Sequence, residues 1–181
     1  MKQTLYQENI RDLKHRSGEM REREREIVVP EQMGEGLLRV VAGETMFLDV
    51  RLESVHEGVL ATVSVETTAR GECGRCLESI EQPVELEFHE LFPYDRQEAD
   101  EYGVHGDHVD LEPPLRDAVV LALPFQPVCR PDCPGLDSET GEKRQEAAAG
   151  ESLGEVDPRW AALTAFTAST DSDAGDTPNV G

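Results

Sequence analysis

Two pairs of cysteines are the part of this chain whose residue types and spacing could do chemistry. Cys73 and Cys76 enclose two residues, Cys129 and Cys133 enclose three, and no other cysteine occurs in the 181 residues. A turn of either spacing lets two thiolates bind one metal ion, and two such turns can complete a tetrahedral sulfur site, typically for zinc. We call residues 73–76 the first knuckle and residues 129–133 the second knuckle. We expect them to converge on one structural metal site, which would clamp two distant parts of the chain together.

Two other readings of the cysteines stay open at this point. The pairs could be reduced, partly buried thiols that never meet. Alternatively, Cys73-Gly-Arg-Cys76 could be a thioredoxin-like redox motif, which requires a helix whose N-terminus lowers the thiol pKa. Pro83 and the strand-like pattern that starts at Val84 leave no room for such a helix. The sequence therefore disfavours redox catalysis.

Other catalytic signatures are missing from the sequence. There is no Gly-x-Ser-x-Gly elbow, phosphate-binding loop or His-Glu-x-x-His pattern. His105 and His108 fall in an acidic stretch, where solvated loop histidines are the commoner case. We therefore expect a protein that is not an enzyme and has no small-molecule substrate.

The charge balance limits the classes of partner. The chain has 38 acidic and 17 basic residues, a formal net charge of -21. Sequence-independent binding to nucleic acid depends on basic groups that displace counterions from phosphates, so this composition argues against it. The sequence shows no signal-peptide-like start and no apolar run of membrane-spanning length. We expect a cytoplasmic protein. In the reducing cytosol, paired cysteines are more often metal ligands than disulfides.

Alternating apolar residues predict antiparallel strands on both sides of the first knuckle. Residues 46–52 and 59–65 alternate, and the turn between them ends at Gly58, a residue available for positive φ. Residues 84–88 repeat the pattern beyond the knuckle. The first knuckle is thus predicted to lie at a turn between two strands.

One helix is predicted between the sheet and the second knuckle. Asp110 is placed to cap it, Leu115, Val119 and Ala122 are spaced for one face, and Pro124 ends it near residue 123. The preceding residues 93–110 show no period and are expected to form a loop. The fold class is therefore α+β: an antiparallel sheet with one central helix, and a short C-terminal helix that begins at Asp157 and buries Trp160.

The two ends of the chain are expected to lie partly outside the core. Residues 1–26 are polar, and the alternating charges of residues 21–26 suit either a solvated strand face or a mobile arm. Because adjacent acids should cancel the field of the arginines, we interpret this segment as ordinary surface. Residues 137–156 are predicted to be a flexible connection and residues 169–181 a disordered acidic tail.

Four stretches of the sequence resemble the YceD family, the large ribosomal RNA subunit accumulation proteins. The specific ones are residues 71–78 (GECGRCLE) and residues 110–124 (DLEPPLRDAVVLALP), which run into residues 129–136 (CRPDCPGL); the weaker ones are residues 52–59 (LESVHEGV) and 157–163 (DPRWAAL). The resemblance implies one YceD-like domain over residues 1–168. It also implies a cytoplasmic, metal-binding ribosome biogenesis factor that supports accumulation or processing of large-subunit ribosomal RNA.

The resemblance places Cys73, Cys76, Cys129 and Cys133 at the family's cysteine positions. It implies partners in the precursor RNA or in ribosomal proteins of the assembling large subunit. The candidates for local RNA or partner contact are the arginines within the family-like stretches, namely Arg75, Arg116, Arg130 and Arg159. The alternative for each of them is a salt bridge to a nearby acid such as Asp117, Asp132 or Asp157.

One departure from the family pattern bears on the metal. Many relatives continue with a further Cys-x-x-Cys, where this chain has Asp137 and Thr140. Either the site does not need those ligands, or this protein holds its metal weakly or not at all. Two rival functions therefore stand beside ribosome biogenesis: a zinc-stabilised protein-interaction module without an RNA role, and a thiol redox protein.

Overall fold

An antiparallel β-sheet dominates the structure, a computed structural model that describes residues 5–95, 102–137 and 139–144. Seven strands and one helix occur there in the following order: β1 Gln7–Asn9, β2 Met20–Val28, β3 Leu38–Arg39, β4 Thr45–Ser54, β5 Gly58–Glu72, β6 Ser79–Pro93, β7 His108–Asp110 and α1 Glu112–Ala122. All pairings between the strands are antiparallel. The predicted combination of an antiparallel sheet and one helix is confirmed for this part of the chain.

The long strand β5 organises the main sheet. Strand β6 pairs with it from end to end, while β4 and then β3 pair along its opposite edge. Strand β2 extends the sheet beyond β4, and β1 and β7 form a separate two-stranded sheet. Because β5 and β6 form one hairpin, residues 73–78 lie at its tip, as the alternation predicted.

The predicted core positions are confirmed on both central strands. In β4, Met46, Leu48, Val50 and Leu52 are each at most 3% exposed, and the alternating apolar residues of β5 are buried as well. Gly58 is needed for a different reason than the one expected. Its φ is not positive; a Cβ atom at this position would collide with the Phe92 carbonyl of the neighbouring strand β6.

The N-terminal segment contains a strand, which is the first of the two alternatives given by its charge pattern. Strand β2 pairs with β4 over nine residues, with Arg21, Arg23 and Arg25 opposite the buried Leu52, Val50 and Leu48. The arginines therefore share the core side of the sheet, and Glu22, Glu24 and Glu26 share the other side. The expectation that adjacent charges cancel was wrong, because the pleat separates the two signs onto opposite faces.

The helix ends where Pro124 requires, but Asp110 is not its N-cap. It covers Glu112–Ala122 with Leu111 as N-cap, while Asp110 accepts a hydrogen bond from the Glu112 amide at 3.0 Å. Leu115 and Val119 are buried in the core, as expected, but Ala122 is exposed and Pro114 is buried instead. This helix lacks the length and apolar character needed to cross a membrane.

Residues 93–110 are not wholly a loop, because their last three residues form β7 and pair with β1. Several expectations fall on residues that the structure does not describe. They are the C-terminal helix with Trp160 and Arg159, most of the connection 137–156, the tail 169–181 and the domain boundary at residue 168.

Candidate metal centre

The first knuckle is the tip of the β5–β6 hairpin. The Cys73 amide donates to the Glu78 carbonyl at 2.8 Å, and the Leu77 amide donates to the Cys73 carbonyl at 3.0 Å. Leu77 adopts a φ of 57°, a left-handed conformation that is unusual for a branched side chain. This tight turn directs Cys73 and Cys76 toward the same side.

The second knuckle and the residues just before it are held against the first knuckle by hydrogen bonds to their backbone carbonyls. After α1 the chain extends through Pro127, whose carbonyl accepts a hydrogen bond from the Gly74 amide at 2.8 Å. The Arg75 guanidinium donates to the carbonyls of Pro131 at 3.2 Å and Cys133 at 3.1 Å. The segment between helix and second knuckle is therefore attached to the hairpin tip by groups other than sulfur.

The four sulfur atoms converge as predicted. Sγ of Cys73 lies 3.8 Å from Sγ of Cys133, and Sγ of Cys76 lies 3.7 Å from Sγ of Cys129. All four lie within 4.8 Å of one another. Sulfurs bonded to zinc at about 2.3 Å form a tetrahedron with edges of about 3.8 Å, so the distances and the donor set both fit that ion. In the described part of the chain, no other group of three or more His, Cys, Asp or Glu side chains converges in this way.

The environment of the thiols is uneven. Burial disfavours the Cys73 thiolate, but backbone amides of Cys129, Arg75 and Cys76 outweigh that effect and lower the Cys73 pKa to about 6. Desolvation and hydrogen bonds with the other three thiols raise the Cys129 pKa to about 12, although the residue as a whole is exposed. A backbone hydrogen bond from Glu78 favours the Cys76 thiolate, but burial and hydrogen bonds with the Cys133 and Cys73 thiols outweigh it and raise the Cys76 pKa. Thiols packed this closely need a cation among them before all four can ionise.

Asp137 forms a turn next to the site. Its carboxylate accepts hydrogen bonds from the amides of Glu139 at 2.9 Å and Thr140 at 3.0 Å. Beyond this turn, Lys143 lies 3.5 Å from the Glu78 carboxylate at the hairpin tip. The four-sulfur group is complete without Asp137 and Thr140, so the first alternative for the departure from the family pattern is the one the geometry favours.

The candidate arginines have different surroundings. Arg75 binds backbone carbonyls of the second knuckle, a role that neither alternative in the sequence analysis included. Arg116 donates to the Gln32 carbonyl at 3.0 Å and pairs with Glu112 at 3.4 Å. Arg130 faces Asp132 at 3.4 Å in an exposed pair, which matches its salt-bridge alternative. Arg159 lies outside the described residues.

A buried ionic cluster elsewhere in the fold was missed in the sequence. Glu8 is 1% exposed, and its carboxylate faces Arg25 at 2.7 Å and both Arg21 and Arg23 at 3.5 Å. The three arginines project from the core side of β2 onto β1. The period-2 spacing of the arginines was a usable signal, but their single acceptor lies in a three-residue strand that has no pattern of its own.

The family described as large ribosomal RNA subunit accumulation protein YceD matches residues 61–167, which include both knuckles. Uncharacterised proteins of Mycobacterium bovis and Mycobacterium tuberculosis are 41% identical over 162 residues, covering 86% of this chain and 78% of theirs. An uncharacterised protein of Bacillus subtilis is 30% identical over 110 residues, covering 56% of this chain and 64% of its own. No solved structure matches. The match over more than half of the chain, together with the converging cysteines that it includes, shows that the chain belongs to the YceD family.

Proposed function

We propose that this protein is a cytoplasmic, non-enzymatic factor that supports accumulation or processing of large-subunit ribosomal RNA. The observation that carries the proposal is the family match over residues 61–167. Its role would be that of a binding or adaptor protein that engages the assembling large subunit. A net charge of -21 favours contact with basic ribosomal proteins over contact with bare RNA.

We propose further that Cys73, Cys76, Cys129 and Cys133 hold one structural zinc ion. Four protein thiolates fill every position of a tetrahedral zinc, which is the ligand set of structural rather than catalytic sites. Bound zinc would supply folding free energy by fastening the hairpin tip to the segment that follows α1. The protein's own groups, chiefly Arg75 and the Pro127 carbonyl, orient the two knuckles for that binding.

The experiment for the biological role is depletion of the protein, followed by measurement of the ratio of large- to small-subunit ribosomal RNA. We expect the ratio to fall and to be restored by the wild-type chain. The matched pair for rescue is Cys73→Ser/Cys133→Ser, which removes two ligands, against Asp132→Asn, which alters the second knuckle at an exposed side chain outside the sulfur group. An unchanged ratio after depletion would contradict the proposal.

Metal analysis tests the zinc separately. Freshly purified, reduced protein should contain about one zinc per chain. The Cys73→Ser/Cys133→Ser protein should contain almost none, and the Asp132→Asn protein should contain as much as wild type. If the wild-type protein carries zinc but depletion leaves the RNA ratio unchanged, the protein is a zinc-stabilised interaction module without an RNA role.

The lowered pKa of Cys73 is the one observation in favour of thiol redox chemistry. Three features weigh against it. The Cys73 side chain is fully buried, the pKa of its knuckle partner Cys76 is raised, and strand β6 rather than a helix follows the motif. We therefore propose that the thiols are ligands and not a redox couple. Rapid cycles of oxidation and reduction at Cys73 and Cys76 in the zinc-loaded protein would reverse this assignment.

A further inference from the structure

The side of the main sheet that faces away from the core carries more acidic than basic side chains. Its arginines on β4 and β5 are already paired, Arg51 with Glu53 at 3.7 Å and Arg70 with Glu44 at 2.8 Å and Glu81 at 2.6 Å. Across β2, β4, β5 and β6 the same side presents Glu24, Glu26, Asp49, Glu66, Glu85 and Glu87, all of them exposed. We call this surface the acidic sheet face. It is the direct result of the alternation in β2, which sends the arginines to Glu8 on the core side and leaves the glutamates outside.

Most of the acidic sheet face is not neutralised within the described part of the chain. The exception is Glu87, which accepts a hydrogen bond from the Ser64 hydroxyl at 3.1 Å and lies 3.5 Å from the His89 ring. Among the described residues, the carboxylates of Glu24, Glu26, Asp49, Glu66 and Glu85 have no hydrogen-bond or ion-pair partner. The register also places like charges opposite each other, Glu24 with Asp49 and Glu66 with Glu85. Such cross-strand pairs repel and destabilise a sheet, so folding alone does not account for this arrangement.

An aromatic ring lies in the middle of these carboxylates. Phe47 is 51% exposed and is flanked across the strands by Glu26 on β2 and Glu66 on β5. The same residues line a concavity of about 510 Å³ together with Glu24, Asp49 and Ser64. Arg25 and Leu48 also line it, and the Arg25 guanidinium is bound to the buried Glu8. An exposed phenyl ring surrounded by carboxylates suits the flat, weakly hydrated guanidinium of arginine or the ammonium of lysine, because the ring face and the acids attract the same cation.

We propose that the acidic sheet face is a docking surface for an extended, arginine- and lysine-rich polypeptide segment. Charge complementarity selects this occupant, and the Phe47 concavity gives one cationic side chain a defined position on the face. RNA is excluded as the occupant because six carboxylates would oppose its phosphates. The inference deepens the proposed function by assigning the surface that would meet a basic ribosomal protein.

The test is fluorescence anisotropy with the full zinc-loaded chain and a labelled decapeptide of alternating arginine and threonine, at about 0.15 M salt. The first variant is Glu24→Gln/Glu26→Gln/Glu66→Gln. Its matched control is Glu31→Gln/Glu35→Gln/Glu57→Gln, which removes the same charge from exposed loops. We expect about a tenfold weaker Kd for the first variant and less than about a twofold change for the control.

A second variant addresses the ring. Phe47→Leu keeps an apolar side chain but removes the aromatic face, so the peptide should bind about threefold more weakly. Equal losses for the two triple variants would show attraction by net charge alone and would overturn the proposal. So would failure of the wild-type protein to bind the peptide, or binding of a single-stranded RNA decamer that the first variant abolishes.

The peptide-binding result and the RNA-ratio result test the docking surface and the ribosomal role separately. Peptide binding that maps to the acidic sheet face, with no change in RNA ratio on depletion, would retain the surface and reject the ribosomal role. A fall in the RNA ratio that the Glu24→Gln/Glu26→Gln/Glu66→Gln chain fully rescues would retain the role and reject this surface as its site.

Discussion

The guanidinium of Arg75 in the first knuckle donates a hydrogen bond to the backbone carbonyl of Cys133 in the second, with an Nη1···O distance of 3.1 Å. The same nitrogen reaches the Pro131 carbonyl, so one side chain covers both ends of the turn that carries Cys133. Gly135 lies next to this arrangement and has a φ of 79°, a conformation that favours glycine. A Cβ atom at this position would also lie only 3.3 Å from the Arg75 carbonyl oxygen. The Arg75 guanidinium thus helps to align the two knuckles, in addition to the contacts between their sulfur atoms.

Replacing Arg75 by alanine should weaken zinc binding without removing a ligand. Hydrogen bonds from a charged donor contribute on the order of 1–2 kcal/mol when partly exposed, which corresponds to about five- to thirtyfold in zinc affinity. Competition with a chromophoric chelator measures this change. Arg130→Ala, in an exposed pair with Asp132, serves as the control and should change the affinity little. Equal affinities for wild type and Arg75→Ala would show that sulfur alone aligns the site.

Zinc binding should release protons and strengthen as pH rises. The raised pKa values of Cys76 and Cys129 keep both thiols protonated at neutral pH in the metal-free protein, and each must lose its proton to become a ligand. Cys73, with a pKa of about 6, is already largely a thiolate at pH 7.5 and contributes little to the release. Calorimetry in buffers of different ionisation enthalpy measures the total release, which should therefore be at least about two protons per zinc. A release of no protons at pH 7.5 would contradict the assigned environments.

Replacing Glu8 by glutamine should destabilise the fold strongly. The change leaves three arginines, whose side chains are 22%, 55% and 23% exposed, facing a neutral group. Losing hydrogen bonds between charged groups at a buried acceptor costs about 2 kcal/mol. Urea unfolding followed by circular dichroism measures it. Asp12→Asn is the control, since Asp12 pairs with Arg21 at 2.8 Å but its side chain is 56% exposed, and it should cost less than about 1 kcal/mol. Similar midpoints for the two variants would mean that β1 is not held by this cluster.

Gly71→Ala should displace β3 from the sheet. A Cβ atom at residue 71 would overlap the Leu37 carbonyl and approach the Leu38 backbone, where β3 pairs with β5 just before the first knuckle. Backbone cannot yield as a flexible side chain does, so we expect a loss of about 2 kcal/mol or more. Gly36→Ala meets only the Leu38 carbonyl at 4.0 Å and should be nearly neutral. Hydrogen exchange at the Glu72 amide, which donates to the Leu37 carbonyl, reports the displacement directly.

The sequence predicted the elements that a local pattern reveals, either alternating apolar residues or a proline. Residues 46–52 and 59–65 alternate because one face of each strand packs on the core, and Pro124 ends α1 because it cannot continue a helix. The cysteine spacing likewise predicted that the knuckles would meet, since all four thiols suit one ion.

The remaining features depend on long-range partners that leave no local pattern. Strands β1 and β7 have three residues each, too few for alternation, and they exist because they pair with each other. The arginines of β2 lie on the core side of the sheet, where they bind Glu8. Nothing in the sequence distinguishes Glu8 from the other acidic residues before the fold places it against three arginines. Arg75 was named as a candidate for RNA or partner contact because nothing in the sequence gives the direction of the Pro131 and Cys133 carbonyls.

The sulfur site closes over sequence separations of 60 residues between Cys73 and Cys133 and 53 residues between Cys76 and Cys129. All strands and the helix of the described chain precede Cys129 in the sequence. The growing polypeptide can therefore form its sheet when only Cys73 and Cys76 have been synthesised. Tight binding of the proposed zinc would therefore be a late event, and it would distinguish the molecules in which the segment after the helix has packed against the hairpin.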